Sequence, residues 1–273
     1  MEFLSEYGVA LALLLIAGAF AGLLAGLLGV GGGVVLVPAF FYIFASLGYE
    51  FEGLMQICLA SSLATIIVTS ALSVKSHNEK GTVLWDVLKT WAIPIGIGAF
   101  AGMIAASYLR SDMLVIIFGV LALIIAGVMG FGINWQPIKD DMPTGATRVG
   151  LASGTGFLST LMGIGGGSIA TPIMLLHGVP IHKAISTSAG FGALIAVPAV
   201  IGFLVFARYP AAPPGTIGAV NVPAVLCILV VSMFTTPIGA RLTHRIDTKP
   251  LKKLFAVFLA VVALNMLRRA VFG

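Results

Sequence analysis

Two stretches of backbone, rather than a cluster of side chains, carry the chemistry that can be read in this sequence. Gly29-Val30-Gly31-Gly32-Gly33 is followed by Pro38, and Gly163-Ile164-Gly165-Gly166-Gly167 by Pro172, at a constant offset of 134 residues. Each run interrupts an apolar segment and then feeds a shorter one. Glycine lets the backbone turn and lets a ligand approach the main chain closely. A half-helix starting after such a run presents unpaired N–H groups and the positive end of its dipole. Gly31, Gly32, Gly33, Gly165, Gly166 and Gly167 are therefore candidate ligands for an anion held without any charged side chain. Hydroxyls can supplement the amides. Ser61, Ser62 and Thr65 fall in one apolar segment, and Ser168, Thr171, Ser186, Thr187 and Ser188 in the other half of the chain. A lone Ser or Thr in an apolar helix usually bonds its own backbone. The better candidates are the matched pairs, Ser61 with Thr187 and Ser62 with Ser188, together with Ser168 directly after the second run.

Other chemistries are disfavoured. All ten acidic residues (Glu2, Glu6, Glu50, Glu52, Glu79, Asp86, Asp112, Asp140, Asp141, Asp247) lie at ends or connections, which argues against a mid-membrane carboxylate relay for protons or sodium. Cys58 and Cys227 sit inside apolar segments with neither metal nor disulfide spacing and read as core residues. His77, His177, His182 and His244 fall in connections and read as surface histidines, although His182 and Lys183 are near enough to Ser186 for a gate or proton role. Gly29-Val30-Gly31 begins like a dinucleotide fingerprint, but the sixth position is Val34 and no βαβ pattern surrounds it. The apolar segments hold no nucleophile–base pair and no metal cluster, so the chain reads as a non-enzyme with no cofactor.

The elements that must position these groups are membrane helices. Of 273 residues, 59% are hydrophobic and 9% charged, against roughly 25% charged in a soluble domain. The Lys and Arg behind the net charge of +5 are spread over connections without forming a stripe, so nucleic acid is not an expected partner. Eight apolar segments approach or exceed the roughly 20 residues of a spanning helix. They are 8–46 (interrupted at 29–33), 55–74, 88–109, 113–133, 148–177 (interrupted at 163–167), 183–206, 217–241 and 251–271. No basic residue precedes the first, since the first Lys or Arg is Lys75; the segment reads as a retained membrane element, not a signal peptide.

The chain also repeats itself. Gly18, Gly22 and Gly26 match Ala152, Gly156 and Thr160, small at every position and suited to close helix packing. Ala60-Ser61-Ser62 matches Ser186-Thr187-Ser188 at an offset of 126, and Gly102 matches Gly239. Residues 1–135 and 147–273 are two copies of one helical unit, joined by a polar linker at 136–146. If all eight segments cross the membrane, the 15 Lys and Arg split 7 to 8 between the faces and the positive-inside rule says nothing. If the two glycine-interrupted segments are re-entrant hairpins, the split is 11 to 4, the linker is cytoplasmic and both termini lie outside. Residues 8–28 are nonetheless long enough to span alone. The expected fold is all-α and polytopic, with two inverted repeats, each a re-entrant segment plus three transmembrane helices. Duplicated halves with matching interrupted segments point to a transporter, its site at the interruptions and its halves rocking about them. An anion-selective channel lined by the same loops is the alternative.

The paired Gly-x-Gly-Gly-Gly runs with their following prolines, His182-Lys183-Ala184-Ile185-Ser186-Thr187-Ser188, and Pro237-Ile238-Gly239-Ala240-Arg241-Leu242 resemble the sulfite exporter TauE/SafE family of membrane permeases. The resemblance covers nearly the whole chain. It implies transport of sulfite, thiosulfate, organosulfonates or related sulfur-containing anions across a prokaryotic inner membrane. Partners are then the anion and the lipid bilayer, with an oligomer possible. Ala60 stands where the second half has Ser186, which weakens the match of hydroxyls in the first half.

Overall fold

The computed structural model describes residues 2–29, 31–131, 137–139, 141–243 and 249–272. Val30, His244, Asp247, Asp140 and part of the linker lie outside them. The described chain is helical apart from one small hairpin: α1 (Glu2–Leu28), α2 (Gly33–Ser46), α3 (Leu54–Asn78), α4 (Trp85–Tyr108), α5 (Ser111–Gly130), α6 (Gly145–Leu161), α7 (Gly167–Leu176), α8 (Ile181–Phe206), α9 (Val222–Leu242) and α10 (Lys249–Phe272). Seven of these, α1, α3, α4, α5, α8, α9 and α10, are long and apolar enough to cross a bilayer. The six segments expected to cross are among them. α1 is the seventh, and the chain turns back after it through the shorter α2.

Two sequence expectations need correction. Residues 217–221 do not begin a helix. β1 (Thr216–Ile217) pairs antiparallel with β2 (Val220–Asn221), and Gly218 at the turn has φ +62°. Asn221 then caps α9 by accepting the Ala224 N–H at 3.0 Å. His77 is not a surface residue. α3 runs four residues further than its apolar stretch and buries His77 completely, with Nε2 3.2 Å from the Gly26 carbonyl oxygen.

Glycine sets the helix pairing. Gly18, Gly22 and Gly26 of α1 lie in order against Ile228, Ser232 and Thr236 of α9, so these helices run parallel with their backbones nearly touching. A Cβ on Gly18 would sit 2.9 Å from the Ile228 oxygen. α6 pairs with α4 in the same way, Gly98 against Ser153 and Gly102 against Phe157. Small residues allow this approach, and membrane helices associate largely through such packing. α3 and α8 pack antiparallel through the middle, with Ile66 beside Gly192 and Val74 beside Gly190. Ser70 fastens this seam by accepting the Ala193 N–H (2.8 Å) and donating to the Ala189 carbonyl. α5 packs on α10.

The connections gather at two ends. At one, Glu50 pairs with Arg269, Glu52 with Arg110, and the Phe51 and Tyr209 rings are 6.3 Å apart. At the other, Thr82 meets Ser186 (2.7 Å), the Ile138 N–H reaches the Leu176 carbonyl (2.8 Å), and Thr243 donates to the carbonyl of Leu27 (2.8 Å). The chain thus leaves and rejoins the first end around α1 and α2, and the second end around α6 and α7.

Candidate functional site

The two glycine runs, 134 residues apart in sequence, meet in the interior. A Cβ on Gly31 would lie 2.9 Å from the Gly165 Cα, and one on Gly33 would collide with the Gly163 carbonyl and the Ile164 Cα. Gly33 starts α2 and Gly167 starts α7. In each helix the first backbone bonds return to the preceding glycine, from Val35 and Leu36 to Gly32 and from Ile169 and Ala170 to Gly166. The amides before those point out of the helix start. Residues 8–41 and 149–176 contain no Asp, Glu, Lys, Arg or His. Within these segments only backbone dipoles and hydroxyls could attract an anion, and burial strengthens such interactions.

The two runs differ in backbone despite their shared pattern. Gly32 is left-handed (φ +73°), whereas its counterpart Gly166 is right-handed helical (φ −62°). Only glycine accommodates the first conformation without strain.

The candidate hydroxyls are buried but mostly engaged. Ser62 Oγ donates to the Gly163 carbonyl (2.7 Å), joining α3 to the second loop. Ser61 Oγ accepts the Asn221 N–H (2.9 Å), and its match Thr187 accepts the Leu84 N–H (2.9 Å). Ser188 donates to the Ala184 carbonyl and shares a 2.7 Å contact with Thr171. Ser168 is different: its buried oxygen has no protein partner, and neither have those of Ser159 and Thr160. All three flank the second loop, in the last turn of α6 and the first of α7. Ser159 and Thr160 are fully buried. Sequence reasoning passed over Ser159. The signal was there, since a polar Ser-Thr pair precedes the second glycine run where the first is preceded by Ala25 and Gly26.

Two other features lie away from the loops. Cys58 is buried in α3, as a core residue would be. A cavity of about 550 Å³ opens at the end that holds the chain's C-terminal turn, lined by Phe41, Glu50, Arg110, Ser111, Asp112 and Arg269 among others. Its charges are mutually paired and largely exposed, as at an ordinary wet surface.

A bundle of helices long and apolar enough to span a bilayer, around paired helix breaks whose own segments carry no Asp, Glu, Lys, Arg or His, fits a membrane transporter. The chain belongs to the sulfite exporter TauE/SafE family, whose model matches residues 14–266. It is similar to a "Probable membrane transporter protein" of Haemophilus influenzae, 34% identical over 93% of this chain and 97% of that one. "Probable membrane transporter protein MJ0441" of Methanocaldococcus jannaschii is 27% identical over 96% and 97%, and "Probable membrane transporter protein YunE" of Bacillus subtilis 24% identical over 96% and 98%. These are names of transporters, not of enzymes. No solved structure matches the chain.

Proposed function

We propose that this protein carries small sulfur-containing anions, such as sulfite, thiosulfate or organosulfonates, by alternating access through a site between the two glycine loops. The observation behind this reading is the meeting of Gly31 and Gly33 with Gly163 and Gly165, beside the partnerless hydroxyls of Ser159, Thr160 and Ser168. Loop amides, two helix starts and free O–H donors suit an oxyanion of sulfur. Close packing of the loops suits a carrier better than an open pore. The helix pairing supports inverted repeats, and the chain's return around α1–α2 and α6–α7 supports the topology with both termini outside. A negative-inside potential drives an anion outward by about 2.3 kcal/mol per charge per 100 mV, so an exporter or facilitator needs no coupled ion.

The test is a panel of sulfite, thiosulfate and sulfonates in proteoliposomes, with pH and potential varied separately. Saturable transport with counterflow is expected. Unitary currents would make the protein a channel, and movement of no anion at all would remove the proposal.

A further inference from the structure

The helices locked together most closely are not those that sequence repetition groups. α1 belongs to the first half and α9 to the second, yet Gly18, Gly22, Gly26 and Gly239 bring their backbones into contact. α6 and α4, again from opposite halves, are joined by Gly98, Gly102 and Gly156. Polar bonds tie a third helix to each pair. Ser61 holds α3 to the N-terminus of α9, while Ser73 and His77 hold it to the carbonyls of Ala25 and Gly26 at the end of α1. On the other side, Thr187 holds α8 to Leu84 at the N-terminus of α4, and Ser153 donates from α6 to the Pro94 carbonyl of α4. The two sets correspond. Ser61 matches Thr187 in the repeat, and Asn221 matches Leu84 at the offset of 137 that relates Gly102 to Gly239.

We infer that the rigid bodies of the transport cycle are these exchanged groups, α1, α3 and α9 against α4, α6 and α8, and not the two sequence halves. This rests on the alternating-access reading above. Backbone contact repeated over successive turns leaves no groove in which one helix can turn against the other, so α1–α9 and α4–α6 move as units, whereas Gly190 and Gly192 at the α3–α8 seam meet side chains. What lies between the groups is the α3–α8 seam and the facing glycine loops, the place where a bound anion would be uncovered. Two connections, 79–84 and 207–221, pass from one group to the other and must absorb the motion. Each carries left-handed glycine, Gly81 (φ +66°) in one and Gly215 and Gly218 in the other, and a Cβ on Gly81 would meet nothing within 4 Å.

Disulfides separate the two schemes. In a variant with Cys58 and Cys227 replaced by Ala, one pair, Gly22→Cys with Ser232→Cys, bridges α1 and α9; a Cβ on Gly22 lies 2.9 Å from that of Ser232. A second, Gly98→Cys with Ser153→Cys, bridges α4 and α6. A third, Val74→Cys with Gly190→Cys, crosses the seam, where a Cβ on Gly190 lies 3.1 Å from Val74 Cγ2. The readout is methanesulfonate counterflow, a sulfonate being used because sulfite would cleave the bridges. Oxidation should leave the first two pairs within about twofold of their reduced rates and lower the third by about tenfold or more. Reversible arrest by the α1–α9 or α4–α6 bridge would overturn the inference. Failure of the reduced protein to transport any of the panel would instead count against the transport reading. Should the glycine variants not fold, spin labels at the lipid-facing positions Ile16, Val230 and Ile201 give the same answer. Addition of methanesulfonate should change the Ile16–Ile201 distance and not Ile16–Val230, and the reverse pattern would overturn the inference.

Discussion

A hydroxyl buried without a partner is destabilising by about 1–3 kcal/mol, and Ser159, Thr160 and Ser168 concentrate that cost around one loop. Ser62 is the opposite case, its hydroxyl satisfied by the Gly163 carbonyl. The two kinds of serine should therefore respond differently to the same substitution. Ser159→Ala and Ser168→Ala should raise the KM for a sulfonate by about tenfold, the worth of one hydrogen bond, with the melting temperature in detergent unchanged or higher. Ser62→Ala should lower the melting temperature by orphaning a buried carbonyl. A fall in stability for all three, with KM unaltered, would show that all are structural. Glycines divide similarly. Gly22→Leu would drive a side chain into Ser232 and Thr235 and should cost about 1–3 kcal/mol. Gly154→Ala meets nothing within 4 Å and should be neutral or stabilising by up to about 1 kcal/mol, both read from thermal unfolding.

At the scale of elements, the spans and breaks were legible because the bilayer demands long apolar stretches and glycine punctuates them. The β1–β2 hairpin was not: Thr216 to Asn221 continues an apolar run, and only the turn at Gly218 and the Asn221 cap separate it from α9. His77 was missed because polarity at a segment's end reads as exposure. Here three polar side chains, Ser73, His77 and Thr243, instead cap the carbonyls at the end of α1. The matched hydroxyls were found by repetition, which picks out what both halves share. Ser61 and Thr187 pin helix starts, and Ser62 and Ser188 bond to a loop carbonyl and to their own helix, whereas the partnerless Ser159 and Ser168 have no hydroxyl at the matching positions of the first half, and repetition is blind to them. His77→Leu should accordingly destabilise the protein by about 1 kcal/mol, leaving the Gly26 carbonyl with the Thr243 hydroxyl at 3.3 Å but without the imidazole. His77→Gln should recover part of that in the same unfolding assay.

For the whole molecule, the two sets of connections make a prediction about sidedness. Single cysteines at Lys80, Lys183 and Arg241 should be modified only from the cytoplasm, and those at Glu52, Arg110 and Arg208 only from outside, as membrane-impermeant maleimides would report. Labelling of Lys80 and Arg241 from opposite faces would defeat the topology. The pairing of α1 with α9 also bears on how the protein is made. Gly18 and Ile228 are 210 residues apart, and at 5–20 residues per second about 10 to 40 s pass between their synthesis. For that interval α1 sits in the bilayer with its glycine face against lipid, and the nascent chain cannot settle until its last quarter has been inserted. Biogenesis of this transporter is thus a late, nearly all-or-none event, and a ribosome that stops in α8 leaves behind a membrane fragment suited to quality-control proteolysis.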